Sequence, residues 1–106
     1  MATLADFDCN QKVAAIYQPG PNWSQFKERL SEHLDFVKAR LDARVMAFGS
    51  PMTDRSGRPT GGLFVYNETD LDNIEKLIQG DAFVRNRVVS YSLGHWGMCT
   101  SATSIK

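Results

Sequence analysis

The feature that most narrows the possible folds is an ordered change of hydrophobic period along the chain. Residues 12–17 (KVAAIY) form a short apolar run of strand formers. Pro19-Gly20-Pro21 stops it, because the prolines lack backbone donors and the glycine permits a turn. From Ser24, a suitable N-cap, the period lengthens to about 3.6 residues. Phe26, Leu30, His33, Leu34, Val37 and Leu41 then share one stripe, with Lys27, Glu28, Arg29, Glu32, Asp35 and Lys38 mostly off it. Residues 45–48 return to strand character, and Gly49-Ser50-Pro51 ends that strand. The polar, glycine-rich stretch 53–62 (TDRSGRPTGG) predicts a loop too long for a tight hairpin turn and hence mobile, and 63–67 (LFVYN) predicts a third strand. Thr69 and Asp72 have capping-box spacing ahead of a helix whose apolar face is Leu71, Ile74, Leu77 and Ile78, and Gly80 ends it. Residues 81–87 (DAFVRNR) suit one further helical turn, and 88–93 a last strand.

Strand, helix, strand, strand, helix, strand is the order of an α+β, ferredoxin-like βαββαβ domain, a four-stranded antiparallel sheet with its helices on one face. Right-handed crossovers then largely fix the topology. At 106 residues the chain accommodates one domain, with a core over about 12–97 and short tails, 1–10 and 98–106, outside the periodic segments. The face without helices exposes Val, Phe and Tyr side chains over more area than a monomer tolerates, which predicts a homodimer through that face.

Composition closes off several classes of function. Twelve Lys plus Arg offset twelve Asp plus Glu, so no positive surplus draws the chain to nucleic acid. No apolar run approaches the roughly 20 residues of a membrane span. Residues 1–10 have neither the basic flank nor the apolar block of a secretion signal, and a cytoplasmic location follows by default. Cys9 and Cys99 have no CxxC motif and no basic neighbours, so free thiols in a reducing compartment are the simpler expectation, against a bridge tying the two tails or a reactive thiol.

Few residues are placed to do chemistry. His33 lies on the stripe of the first helix that faces the sheet. There it is either a core histidine satisfied by a carbonyl or, with a carboxylate to fix its tautomer, an acid–base group near neutral pH. Asp81 is the best-placed carboxylate, since it follows the Gly80 break, and it also suits the N-cap of the turn beginning at Ala82; the two roles are compatible. His95 reads as a surface residue, and His33, His95 and Asp81 lack any metal-ligand spacing. Arg55 and Arg58 could close over an anionic substrate, although an ordinary solvated hairpin loop is the simpler account of them. GxGxxG, GxxxxGK[ST], HExxH and GxSxG are all absent from the sequence, and no cofactor is implied.

Several short strings in one order carry a more specific resemblance. Tyr17-Gln18-Pro19-Gly20-Pro21-Asn22-Trp23, His33-Leu34-Asp35-Phe36, Gly49-Ser50-Pro51-Met52, Gly62-Leu63-Phe64-Val65, Gly80-Asp81-Ala82-Phe83-Val84 and His95-Trp96 together resemble the YCII-related (YciI-like) family over about residues 12–97. The resemblance implies a dimeric α+β barrel in which a helix histidine and the aspartate of a DPF-like motif form a catalytic dyad, here His33 and Asp81. Ala82 stands where the family commonly has proline, and Ser50 where it often has glycine. Related barrels include isomerases, monooxygenases and dehydrochlorinases. The expected activity is proton transfer on a small cyclic or aromatic compound without a cofactor, concretely a lyase removing HCl from a chlorinated hydroxyquinol. His33 would be the base, and Asn22, Ser50 or Arg55 would steady developing negative charge, in a pocket lined by Trp23, Phe48 and Phe83. An isomerase or lactone-processing enzyme would use the same base. A noncatalytic dimeric ligand-binding module is the rival from another class, and it would show no cavity beside His33.

Overall fold

A computed structural model describes residues 1–102 of the chain. Its elements are β1 (Phe7–Pro19), α1 (Phe26–Asp42), β2 (Met46–Thr53), β3 (Pro59–Tyr66), α2 (Leu71–Ile78), α3 (Ala82–Arg85) and β4 (Val89–Ala102), with single 3-10 turns at Leu4–Asp6 and Trp23–Gln25. The four strands form one antiparallel sheet in the order β2-β3-β1-β4. Both crossovers place their helices over the same face, and the fold is the ferredoxin-like α+β arrangement.

Period-two alternation on the central strands sends Val13, Ala15 and Tyr17 of β1 and Phe64 and Tyr66 of β3 toward the helices. They pack against Ile74 and Ile78 of α2 and Phe83 and Val84 of α3, while Phe26, Leu30 and Val37 of α1 are half-buried against the same cluster. Ala14 and Val65, buried but outside that cluster, pair with each other on the opposite face. Two close approaches demand glycine. A Cβ on Gly61 would lie 2.1 Å from the Tyr17 carbonyl oxygen, and one on Gly20 would lie 2.7 Å from the Arg87 carbonyl oxygen. These positions bring the start of β3 and the exit of β1 against the strands and turn that surround the site.

Several local expectations are corrected. The segments read as tails are strand: Phe7–Asn10 and Met98–Ala102 extend β1 and β4 into a long two-stranded ribbon. Apart from Phe7 and Met98 the residues there are small or polar, so apolar periodicity gave no signal, and pairing with the neighbouring strand supplies the structure. Cys9 and Cys99 face each other in this ribbon and are bonded as a disulfide, not free. The free-thiol ground for a cytoplasmic location is lost with that bond. Ser24 lies inside the 3-10 turn that precedes α1 and is not its cap. The stripe of α1 is narrower than its spacing implied: Leu34 and Leu41 are exposed, and Phe36 is buried in their stead. Asp70, not Thr69, caps α2 by accepting from the backbone N–H groups of Asp72 and Asn73. The β2–β3 loop is short and tied, because Asp54 accepts from Ser56 N (2.8 Å), Ser56 Oγ (2.6 Å) and Arg58 N (3.0 Å). No helix among the described residues is long and apolar enough to cross a membrane.

Candidate active site

α1 delivers His33 to the core side of the sheet, and the chain break after α2 delivers Asp81 beneath it. Asp81 is fully buried, and three kinds of donor converge on its carboxylate. His33 Nδ1 lies 3.0 Å from Oδ1 and 2.9 Å from Oδ2. The Tyr17 hydroxyl donates to Oδ2 at 2.8 Å, and the Phe83 N–H donates to Oδ1 at 3.0 Å. The last bond is the N-cap of α3, so one carboxylate caps a helix and holds an imidazole. A carboxylate among these donors is an acceptor, which fixes the proton of neutral His33 on Nδ1 and leaves Nε2 as the basic nitrogen. Burial, reinforced by the charge of Asp81, pushes the Tyr17 phenol far above its ordinary value, so it stays a donor throughout the neutral range.

The imidazole is clamped from its faces as well. Phe83 stacks on it at 4.1 Å between ring centroids and 7° between planes, and Phe64 meets it nearly edge-on at 5.5 Å. Such packing leaves the ring one orientation. His33 borders a cavity of about 100 Å³ lined mainly by apolar groups, among them Trp23, Phe26, Leu30, Phe64 and Phe83, with Tyr17 and Thr53 as its other polar side chains. A cavity on the order of 150 Å³ holds benzene, so this one is matched to part or all of a single ring.

The other residues singled out from the sequence divide sharply. Trp23 and Phe83 line the cavity. Asn22 does not; its side-chain amide donates to the Asn86 carbonyl at 2.9 Å and ties the exit of β1 to the end of α3. Phe48 and Ser50 pair with Val65 and Leu63, neighbours of Phe64 that alternation turns to the sheet face away from the helices. Neither lines the cavity, and Pro51 takes the place expected of Ser50. Arg55 is exposed in the β2–β3 turn and borders no described cavity. His95 is exposed in the middle of β4, with Nε2 3.0 Å from the Thr69 carbonyl oxygen. Among the described residues no three potential ligands gather into a metal site. Tyr17 is the site residue that motif reading missed. Its inward register with Val13 and Ala15, together with the need of a buried hydroxyl for a partner, was the available signal.

No protein-family model matches the chain, and no curated protein matches it in sequence. Among solved structures it is similar to the 5-chloro-2-hydroxyhydroquinone dehydrochlorinase of Burkholderia phenoliruptrix AC1100, determined in complex with 2,5-dihydroxybenzoquinone. The TM-score is 0.60, at 15% identity, over 79% of this chain and 92% of that one. At that identity the likeness is one of fold.

Proposed function

We propose that this chain is a cofactor-free enzyme in which His33, oriented by Asp81, moves protons on a small cyclic or aromatic substrate, concretely a lyase that removes HCl from a chlorinated hydroxyquinol. The observation that carries this is the buried Asp81 carboxylate held 2.9 Å from His33 Nδ1 while the same imidazole borders a ring-sized apolar cavity. The cavity beside His33 favours an enzyme over a noncatalytic module. The resemblance to YCII-related proteins and the fold shared with a dehydrochlorinase both support the reaction class.

In this mechanism Nε2 accepts a hydroxyl proton from the substrate and returns a proton to the chlorine-bearing ring carbon. Loss of a second hydroxyl proton then drives an electron pair through the ring, the C–Cl bond breaks, and chloride leaves. The balance is loss of HCl with conversion of the hydroquinone to a quinone. Asp81 retains its role as acceptor, stabilising the imidazolium without taking its proton. Tyr17 holds Asp81 in place, and the apolar walls exclude water from the charged intermediate. The functional unit is taken to be a homodimer joined through the helix-free sheet face.

The test is chloride release from 5-chloro-2-hydroxyhydroquinone by the purified protein, followed with a chloride electrode. Wild type is expected to release chloride above the spontaneous rate, and His33→Asn to lose about 10²–10⁴-fold of that excess. Absence of any excess in wild type overturns the lyase reaction; full activity in His33→Asn overturns the base.

A further inference from the structure

Outside the ring-sized cavity lies a larger groove of about 500 Å³, bordered by Trp23, Ser24, Phe26, Lys27, Arg58 and Pro59. Trp23, Phe26 and Pro59 also line the cavity at His33, so the two spaces share a wall. That wall is a continuous run of rings: Trp23 lies 4.9 Å from Phe26, Phe26 lies 5.1 Å from Phe83, and Phe83 stacks on His33 at 4.1 Å. Aromatic surface therefore extends from the groove to the base, with neighbouring rings tilted by 53° between Trp23 and Phe26 and by 38° between Phe26 and Phe83.

The charged rim of the groove is entirely positive. Among the described residues neither the Lys27 ammonium nor the Arg58 guanidinium has an ion pair or hydrogen bond, whereas Arg29, Lys38 and Arg85 each have an acidic partner. Asp54 does not neutralise Arg58, because its carboxylate is committed to the turn through Ser56 and the Arg58 backbone N–H. Lys27 also sits in the first turn of α1, where the helix dipole disfavours a cation. Among the described residues no acidic partner offsets that placement, and an anion in the groove would.

We infer that the groove between Lys27 and Arg58 binds an anionic substituent of the substrate, a carboxylate carried on the ring whose other edge reaches His33. The inference rests on the proposed use of the His33 cavity as the ring site and adds a carboxylate substituent to the hydroxylated ring proposed as substrate. It also moves the anion contact from Arg55, which lines none of the described cavities, to Arg58 and to a helix residue that the sequence presented as part of a solvated face.

The experiment is calorimetric binding of a matched pair of probes, 2,5-dihydroxybenzoate and 2,5-dihydroxybenzamide, to wild type, Lys27→Gln, Arg58→Gln, the double variant, Arg55→Gln and His33→Asn. Both cations are exposed and, among the described residues, neither side chain has a hydrogen bond or ion pair, so their removal leaves the fold intact. Wild type is expected to prefer the carboxylate by about tenfold at low salt, with the preference shrinking as ionic strength rises. Each single variant should lose part of the preference and the double variant all of it, while Arg55→Gln keeps it. His33→Asn should also keep it, because recognition of the anion does not use the base; loss of turnover with retained preference separates the two proposals. Equal affinity for both probes in wild type, binding of neither, or a preference that survives in the double variant would each overturn the inference.

Discussion

At the scale of single residues, Asp81 carries two tasks on one carboxylate, and replacing it separates them. In Asp81→Asn the side-chain carbonyl can still accept from the Phe83 N–H, so the α3 cap is retained, but the amide can no longer enforce a proton on His33 Nδ1. Nitrogen-15 shifts of the His33 ring should report the Nδ1–H tautomer in wild type and a mixed population in the variant, with any proton-transfer activity falling about 10²–10⁴-fold. Unchanged tautomer populations would mean that Asp81 does not orient the ring. Tyr17 gives a test in the alkaline range. Its phenol, like that of Tyr66, is raised above the ordinary value of 10.0 by burial first and by Asp81 second. Above pH 10 the unfolded chain releases phenolic protons that the folded chain keeps, so stability is full below that pH and falls as pH rises past it. Chemical denaturation should show this loss, and Tyr17→Phe should flatten it while costing about 1–3 kcal/mol at neutral pH for the hydrogen bond to a charged acceptor. Absorbance at 295 nm should show Tyr17 and Tyr66 ionising only as the protein unfolds. His33 and Asp81 were both legible in the sequence, one from the helix stripe and the other from the glycine break. Asn22, Ser50 and Phe48 were not placed correctly, because strand register and a committed amide decide where they point, and neither has a local signature.

At the scale of elements, the period changes located every strand and helix but cut all four strands short: β2 runs through Gly49-Ser50-Pro51 to Thr53, β3 starts at Pro59 inside the expected loop, and β1 and β4 extend furthest beyond their reading. β1 and β4 pair from Tyr17↔Tyr91 through Val13↔His95 and on to Phe7↔Ala102, well past the last inward apolar residue. A strand end held by its neighbour's backbone needs no alternation of its own, which is why DFDCN and GMCTSA read as tails. The β2–β3 turn failed for the opposite reason: its composition is that of a loop, yet Asp54 closes it with side-chain bonds that composition does not reveal. The Cys9–Cys99 bond joins residues 90 apart near the end of the ribbon formed by β1 and β4. Closing so long a loop restricts the unfolded chain, and a bond of this kind contributes on the order of 2–4 kcal/mol. Reduction, or Cys9→Ala with Cys99→Ala, should therefore lower Tm by on the order of 10 °C in differential scanning calorimetry. Alkylation under native, non-reducing conditions should label neither cysteine. Labelling of both, or a Tm indifferent to reductant, would show that the ribbon is held by its backbone pairing alone.

At the scale of the whole molecule, one face of the sheet is covered by helices and the other is bare. The bare face has rows that follow the register, Ser50–Leu63–Ile16–Ser92 and Phe48–Val65–Ala14–Gly94, apolar at the centre and small or polar at the β4 edge. Ile16 and Phe48 remain 37% and 36% exposed. A second copy of the same face would bury both, and its two-fold symmetry would set the small β4 edge of each sheet against a groove and not a ridge. Wild type should therefore elute with a mass near twice 11.9 kDa by light scattering, and Ile16→Lys should halve it without changing the circular dichroism spectrum, since the side chain points away from the core. The cavity at His33 is lined by residues of α1, of α3, of the turn before α1 and of the strands of the same chain, and none of Ile16, Phe48, Leu63 and Val65 of the bare face is among them. The Ile16→Lys monomer should accordingly bind 2,5-dihydroxybenzoate as wild type does. A wild type that is monomeric at every concentration would remove the dimer. A dissociated variant that no longer binds the probe would instead make the second subunit part of the site, and the apolar face would then be serving the chemistry as well as the assembly.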